Sequence, residues 1–272
     1  MRTRVLAIML GFFAALPCQP ASAQQKILID GSTGTAPLIE ALGKAFTAKT
    51  SIPVEIGKGL GPPERLQALA DGKIDIAMAS HGLNVAEVTA KGMTVHRIAM
   101  TPVVFGVNDT VKIDGLSEAQ LCAIYAGTAK NWKDVGAADL AIAALARPDS
   151  EVDAQVVRGG IGCLKDLKLS DTIKIHARAG DMAKALAETV GGVGVTSATV
   201  VEQSKGKVKS VALDGVAPSE ANVVAGKYRL TRDAFLVTGN APSAQAKAFI
   251  DFVKSAEGSA IIMANGAIAA TK

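Results

Sequence analysis

The chain reads as an α/β protein in two lobes, and three features predict this. Short β-rich runs alternate with helix-like segments from Lys26 onward, which is the pattern of βαβ units feeding a parallel sheet. Two long extended stretches, at 94–108 and 228–238, split that alternation into two sets. Small polar loops fall where the strand-like runs end, and ligands of open parallel sheets bind there.

Before the first strand, Arg2 and Arg4 precede an apolar run from Val5 to Leu16, and Ala21-Ser22-Ala23 follows. That order is the one a secretory signal peptide needs, with cleavage after Ala23 and export to the periplasm. The apolar run falls short of the roughly 20 residues of a membrane-spanning helix. A lipid anchor at Cys18 is disfavoured by Pro17, where attachment motifs take a small residue. Removing residues 1–23 from 272 leaves 249, enough for a large core. The formal charge of +4 falls to +2 with the loss of Arg2 and Arg4, which predicts no nucleic-acid partner.

The elements follow in order. KILID (26–30) and IPVEI (52–56) read as strands around the helix PLIEALGKAF, whose Leu38, Ile39, Leu42 and Phe46 share one face. ERLQALADGK is a second helix, and IDIAMAS (74–80) a third strand. After the extended stretch TVHRIAMTPVVFGVN come the helix LSEAQLCAIYAG, the strand LAIAAL, and the runs DTIKIHA and GGVGVTS. YRLTRDAFLVT (228–238) then leads into the helices SAQAKAFIDFVKSA and EGSAIIMANGA. Cys122 and Cys163 remain in the mature chain, and export permits a disulfide between them. Two buried thiols are the alternative.

Catalytic and metal signatures are missing from the sequence. It contains no GxxxxGK[ST], no GxGxxG after a strand, no GxSxG and no HExxH. His81, His96 and His176 are widely spaced and supply neither a triad motif nor a metal-ligand cluster. No cofactor is expected. What remains is four strand-end loops, Gly31 to Thr35, Gly57 to Gly61, Ser80 to Gly82 and Arg147 to Asp153. Hydroxyls and glycines beside a helix N-terminus suit a small anion, because free backbone N–H groups and the helix dipole converge there.

The stretches GSTGTAPLIEALGKAF, DGKIDIAMASHGL, LSEAQLCAIYAGTAKNWKDVG and ALARPDS resemble the phosphate-type substrate-binding proteins of ABC importers, members of the type II periplasmic binding protein fold. The resemblance implies two α/β lobes with a ligand cleft between them, residues 24–105 plus 235–272 forming one and 106–234 the other. It implies a non-enzymatic receptor that delivers a small oxyanion to an ABC permease in the inner membrane. Carried onto this chain, the ligand-binding set is Ser32, Thr33, Thr35, Ser80, Arg147, Asp149, Ser150, Glu151 and Asp153. Two departures stand out. The second loop has Leu60 and Pro62 where the family favours serine, and Glu151 and Asp153 fall where the family places a hydroxyl-and-glycine grip. A carboxylate at ~5 Å repels a bound anion by about 3 kcal/mol per unit charge at an effective dielectric near 20. A receptor or sensor for an amine-bearing ligand, countered by these acids, is therefore the rival reading. An exported hydrolase using Ser150 or Ser32 as nucleophile is a third, and it needs a base within hydrogen-bond reach.

Overall fold

The computed structural model describes residues 26–270. The predicted signal peptide, residues 1–23, lies outside them. The first stretch runs β1 (Ile27–Gly31), α1 (Ala36–Thr50), β2 (Val54–Ile56), α2 (Pro62–Ala70), β3 (Ile76–Ser80), α3 (Val85–Ala90) and β4 (Thr94–Asn108). The middle stretch runs β5 (Gly115–Leu116), α4 (Glu118–Ala126), β6 (Ala143–Ala146), α5 (Val152–Gly160), β7 (Lys174–Ile175), α6 (Ala179–Glu188), β8 (Gly192–Ser197), α7 (Ala198–Gln203), β9 (Val208–Ser210), β10 (Ala212–Leu213) and α8 (Glu220–Val224). The chain closes with β11 (Thr231–Thr238), α9 (Ala244–Val253), α10 (Ala256–Ala264) and β12 (Ile268–Ala269).

One sheet runs through both lobes in the order β2-β1-β3-β11-β4-β8-β6-β7, with β9 and β12 also on β4. Its flanks are parallel, as the βαβ pattern predicts: β1 pairs with β2 and β3, and β6 with β7 and β8. The centre is antiparallel, because the two long extended stretches are themselves strands that cross between the lobes. β4 pairs with β11 through Pro102 and with β8 from Val103 onward. The two crossings are tied together there, with Val103 N donating to Leu230 O at 2.8 Å and Tyr228 Oη to Val103 O at 2.8 Å.

Each lobe has its own core. In the first, the apolar face of α1 buries Leu38, Ile39, Leu42 and Phe46 on β1 and β3. Phe46 meets Phe249 of α9 edge-on, at a centroid distance of 5.3 Å. In the second, Phe105, Tyr125 and Trp132 are buried together, and the Trp132 indole N–H donates to Gly191 O at 3.0 Å. Asn131 and Asp134, from the stretch LSEAQLCAIYAGTAKNWKDVG, cap the short 3₁₀ turn that seats Trp132. They serve packing, and neither lines the interlobe cleft. Cys122 of α4 and Cys163 are joined by a disulfide with a Cα–Cα distance of 6.2 Å, so the pairing alternative holds over buried thiols. Among the described residues, no helix is long and apolar enough to cross a membrane.

Candidate functional site

The first loop owes its shape to Gly31. Its φ of 139° suits glycine, and a Cβ there would lie 2.1 Å from Met78 O. This close approach lets Ser32 N donate to Met78 O at 3.0 Å, and Thr35 N to Ser32 O at 3.1 Å, turning the chain into α1. Thr35 is buried and its hydroxyl donates to Ala79 O at 3.3 Å, so it fixes the turn. The Thr33 hydroxyl differs: it is buried and has no hydrogen-bond partner.

The second loop is arranged by backbone groups. Asp30 accepts from Gly31 N at 2.7 Å and Gly59 N at 2.9 Å, and Leu60 N donates to Gly31 O at 3.0 Å. Gly61 caps α2, with Glu64 accepting from its N–H at 2.7 Å. Leu60 and Pro62 thus replace side-chain donors with a loop that is internally satisfied. In the third loop Ser80 is buried, donating to Asp233 O at 3.1 Å and accepting from Arg232 Nη1 at 3.4 Å.

The fourth loop carries the charges. Arg147, at the end of β6, is 3% exposed, and its Nη2 lies 2.6 Å from Glu151 Oε2. Its Nε and Nη1 have no hydrogen-bond partner, and the residue borders a small open pocket of about 40 Å³ in the second lobe, room enough for a water molecule. Asp149 is exposed and pairs with Arg158 Nε at 2.8 Å. Arg158 Nη1 in turn donates to Leu164 O at 2.7 Å, so this pair braces the loop. Ser150 is exposed. Asp153, in the first turn of α5, is buried with Oδ1 2.6 Å from Arg232 Nε. Neither of those atoms has a directed hydrogen bond, so the contact is ionic in character.

Between the lobes the first, second and fourth loops border an open cleft of about 290 Å³, lined by Ser32, Thr33, Ser150 and Glu151 together with Lys58, Gly59, Arg65 and Arg178. The other residues of the predicted set stand behind it: Thr35 and Ser80 buried in the first lobe, Arg147 behind Glu151, Asp149 against Arg158, and Asp153 against Arg232. Three cations, Lys58, Arg65 and Arg178, face one carboxylate, Glu151, so the cleft lining sums to +2. Arg65 is 7% exposed, its Nε has no hydrogen-bond partner, and burial makes it a weaker base than a free guanidinium. The carboxylates of the fourth loop are thus each held by an arginine, and of the three only Glu151 borders the cleft. Among the described residues no histidine hydrogen-bonds Ser32 or Ser150; His96 instead contacts Thr238 and Lys254.

Lys58, Arg65, Arg178 and Arg232 were not expected from the sequence. Lys58 and Arg178 were findable, since each sits just after a strand-like run, where the other candidates were sought. Arg65 and Arg232 lie within a helix and a strand, and only the fold turns them inward.

Residues 18–257 match the family described as "PBP superfamily domain". The chain is homologous to the phosphate-binding protein PstS of Bacillus subtilis, with 27% identity over 86% of this chain and 76% of the relative. It is likewise homologous to PstS of Borreliella burgdorferi, with 23% identity over 96% of each chain. Among solved structures it is similar to a candidate phosphate ABC transporter substrate-binding protein with bound phosphate from Clostridium perfringens, at a TM-score of 0.73 and 26% identity over 91% of this chain and all of that one. It is also similar to an ABC-type phosphate transport receptor from Vibrio cholerae, at a TM-score of 0.60 and 25% identity over 89% and 99%. A molybdate-binding protein from Azotobacter vinelandii, at 15% identity and a TM-score of 0.63, shares the fold. With two lobes, a cleft at the strand ends and a match over most of its length, the chain belongs to the PBP superfamily.

Proposed function

We propose that this protein is a solute receptor that captures a small oxyanion, phosphate first, in the cleft between its lobes and delivers it to an ABC permease. The observation that carries the proposal is the Thr33 hydroxyl, a buried donor without a partner at the wall of a cleft that also holds Lys58, Arg65 and Arg178. Buried polar groups are nearly always satisfied, and an oxyanion satisfies a hydroxyl and three cations at once. The α5 N-terminus, begun by Glu151 as its cap residue, adds free backbone N–H groups to the opposite wall. The names of the relatives support phosphate, and none of them supports an amine-bearing ligand. They are binding proteins, which supports a non-enzymatic role.

The lobes are taken as 24–105 plus 235–272 and 106–234, close to the point where β4 exchanges partners. Export with cleavage after Ala23 belongs to the same proposal, and intact mass of the secreted protein tests it. The ligand is tested by thermal unfolding with phosphate, arsenate, sulfate and an ionic-strength control. Phosphate at 100 times its dissociation constant stabilises by about 2.7 kcal/mol, a shift of roughly 5–11 °C at 2–4 °C per kcal/mol. No shift beyond the salt control with any of these anions at tens of millimolar contradicts the proposal.

A further inference from the structure

We infer that Arg232 is a positioning residue of the anion site, holding the first loop of one lobe and the first turn of α5 in the other at a fixed separation. The inference rests on the oxyanion reading only for its ligand; the placement of Arg232 stands by itself. Its guanidinium is buried and touches three elements. Nη2 donates to Gly34 O at 2.5 Å in the first loop, Nη1 to Ser80 Oγ at 3.4 Å at the end of β3, and Nε meets Asp153 Oδ1 at 2.6 Å in α5. The first loop lies against the guanidinium, since a Cβ at Gly34 would stand 3.5 Å from Arg232 Cζ.

Arg232 also sits where the chain crosses between lobes. It is in register with Thr101 on β4, just before β4 leaves β11 for β8. A guanidinium stays charged when buried and needs a counter-charge. Here that charge is Asp153, which reaches it from the first turn of α5. Two residues before Asp153, Glu151 borders the cleft, and one residue before Gly34, so does Thr33. The pair therefore sets the distance across the cleft between the donors of the first loop and the start of α5. That part of the site is ordered in advance of binding, and pre-ordering raises affinity by removing a cost that binding otherwise carries.

A merely structural ion pair would affect folding and leave affinity intact once folding is restored. The variants are Asp153→Asn, Arg232→Lys, Arg232→Met and the double Arg232→Met/Asp153→Asn. The double removes both buried charges, so its thermal midpoint should recover toward wild type relative to either charge-breaking single. Its phosphate dissociation constant by calorimetry should nevertheless stay at least tenfold weaker, with the single effects non-additive and Arg232→Lys intermediate. A double variant binding phosphate within twofold of wild type overturns the inference. Should the double fail to fold, Asp153→Asn and Arg232→Lys decide, and affinities within twofold of wild type overturn it again. Amide exchange of the ligand-free protein separates this inference from the phosphate reading. Asp153→Asn, made in one lobe, should speed exchange at the Ser32 and Thr35 amides of the other. Unchanged exchange there overturns the positioning role even where wild type binds no phosphate.

Discussion

Glu151→Gln removes the one carboxylate that borders the cleft and leaves the side chain's shape nearly unchanged. At ~5 Å from a bound anion and an effective dielectric near 20, the repulsion removed is about 3 kcal/mol per unit charge. The Glu151 side chain is 31% exposed, and solvent screening reduces that figure, so the expected gain in phosphate affinity is about tenfold or more rather than the full two decades. Arg147 loses its ionic partner at the same time. Its side chain is 2% exposed, and weakening a hydrogen bond to a buried charged group costs about 1–3 kcal/mol. The ligand-free variant should therefore unfold a few degrees earlier. At one fixed saturating phosphate concentration, a tenfold tighter complex adds about 1.4 kcal/mol, or roughly 3–6 °C of extra thermal shift. Calorimetry and thermal unfolding on the same samples read both effects. A variant that binds phosphate no tighter than wild type, with an unchanged thermal shift, refutes the reasoning that the Glu151 carboxylate repels the ligand.

Thr33→Val should weaken phosphate binding by at least fivefold with little change in the ligand-free midpoint, since the hydroxyl has no protein partner to lose; equal affinity by calorimetry removes Thr33 from the site. Gly31→Ala forces a side chain onto a φ of 139° and against Met78 O, so circular dichroism should show a loss of at least the 1–3 kcal/mol that such backbone strain costs. Burial, aided by the Lys254 ammonium and opposed by Asp251, lowers His96 to about 4. The unfolded chain therefore takes up this proton first as pH falls, and the stability of neutral His96 is present above pH 6.5 and lost between 6.5 and 4. After discounting for partial exposure the loss is roughly 1–2 kcal/mol, and His96→Gln should flatten that slope in denaturant titrations. The disulfide encloses a sequence separation of 41, for which chain entropy gives about 4 kcal/mol; the denatured, unreduced mature protein should alkylate at neither Cys122 nor Cys163, and reduction should lower the midpoint clearly.

The fold was legible where periodicity reports burial. The α1 face of Leu38, Ile39, Leu42 and Phe46 and the strand IDIAMAS behave as their patterns require, because one-sided and two-sided burial leave different signatures in sequence. The antiparallel centre was less visible, since strand direction depends on where the chain returns and not on local pattern. In the site, Gly31 to Thr35 is legible as a strand-end turn before a helix. The opposing roles of its two threonines, Thr35 in the turn and Thr33 at the cleft, depend on contacts with β3. Glu151 and Asp153 were visible as acids, but that each has its own arginine was not. Arg147 is four residues from Glu151, whereas Arg232 reaches Asp153 from β11, a separation that no motif spans.

The most direct measurement is the crystal structure of the mature protein grown with phosphate. The account predicts tetrahedral density in the cleft, within hydrogen-bond distance of Thr33 Oγ1 and the amides at the start of α5, with Lys58, Arg65 or Arg178 turned onto it. Phosphate bound elsewhere on the molecule, or a cleft without it under conditions where calorimetry records one-to-one binding, contradicts the account.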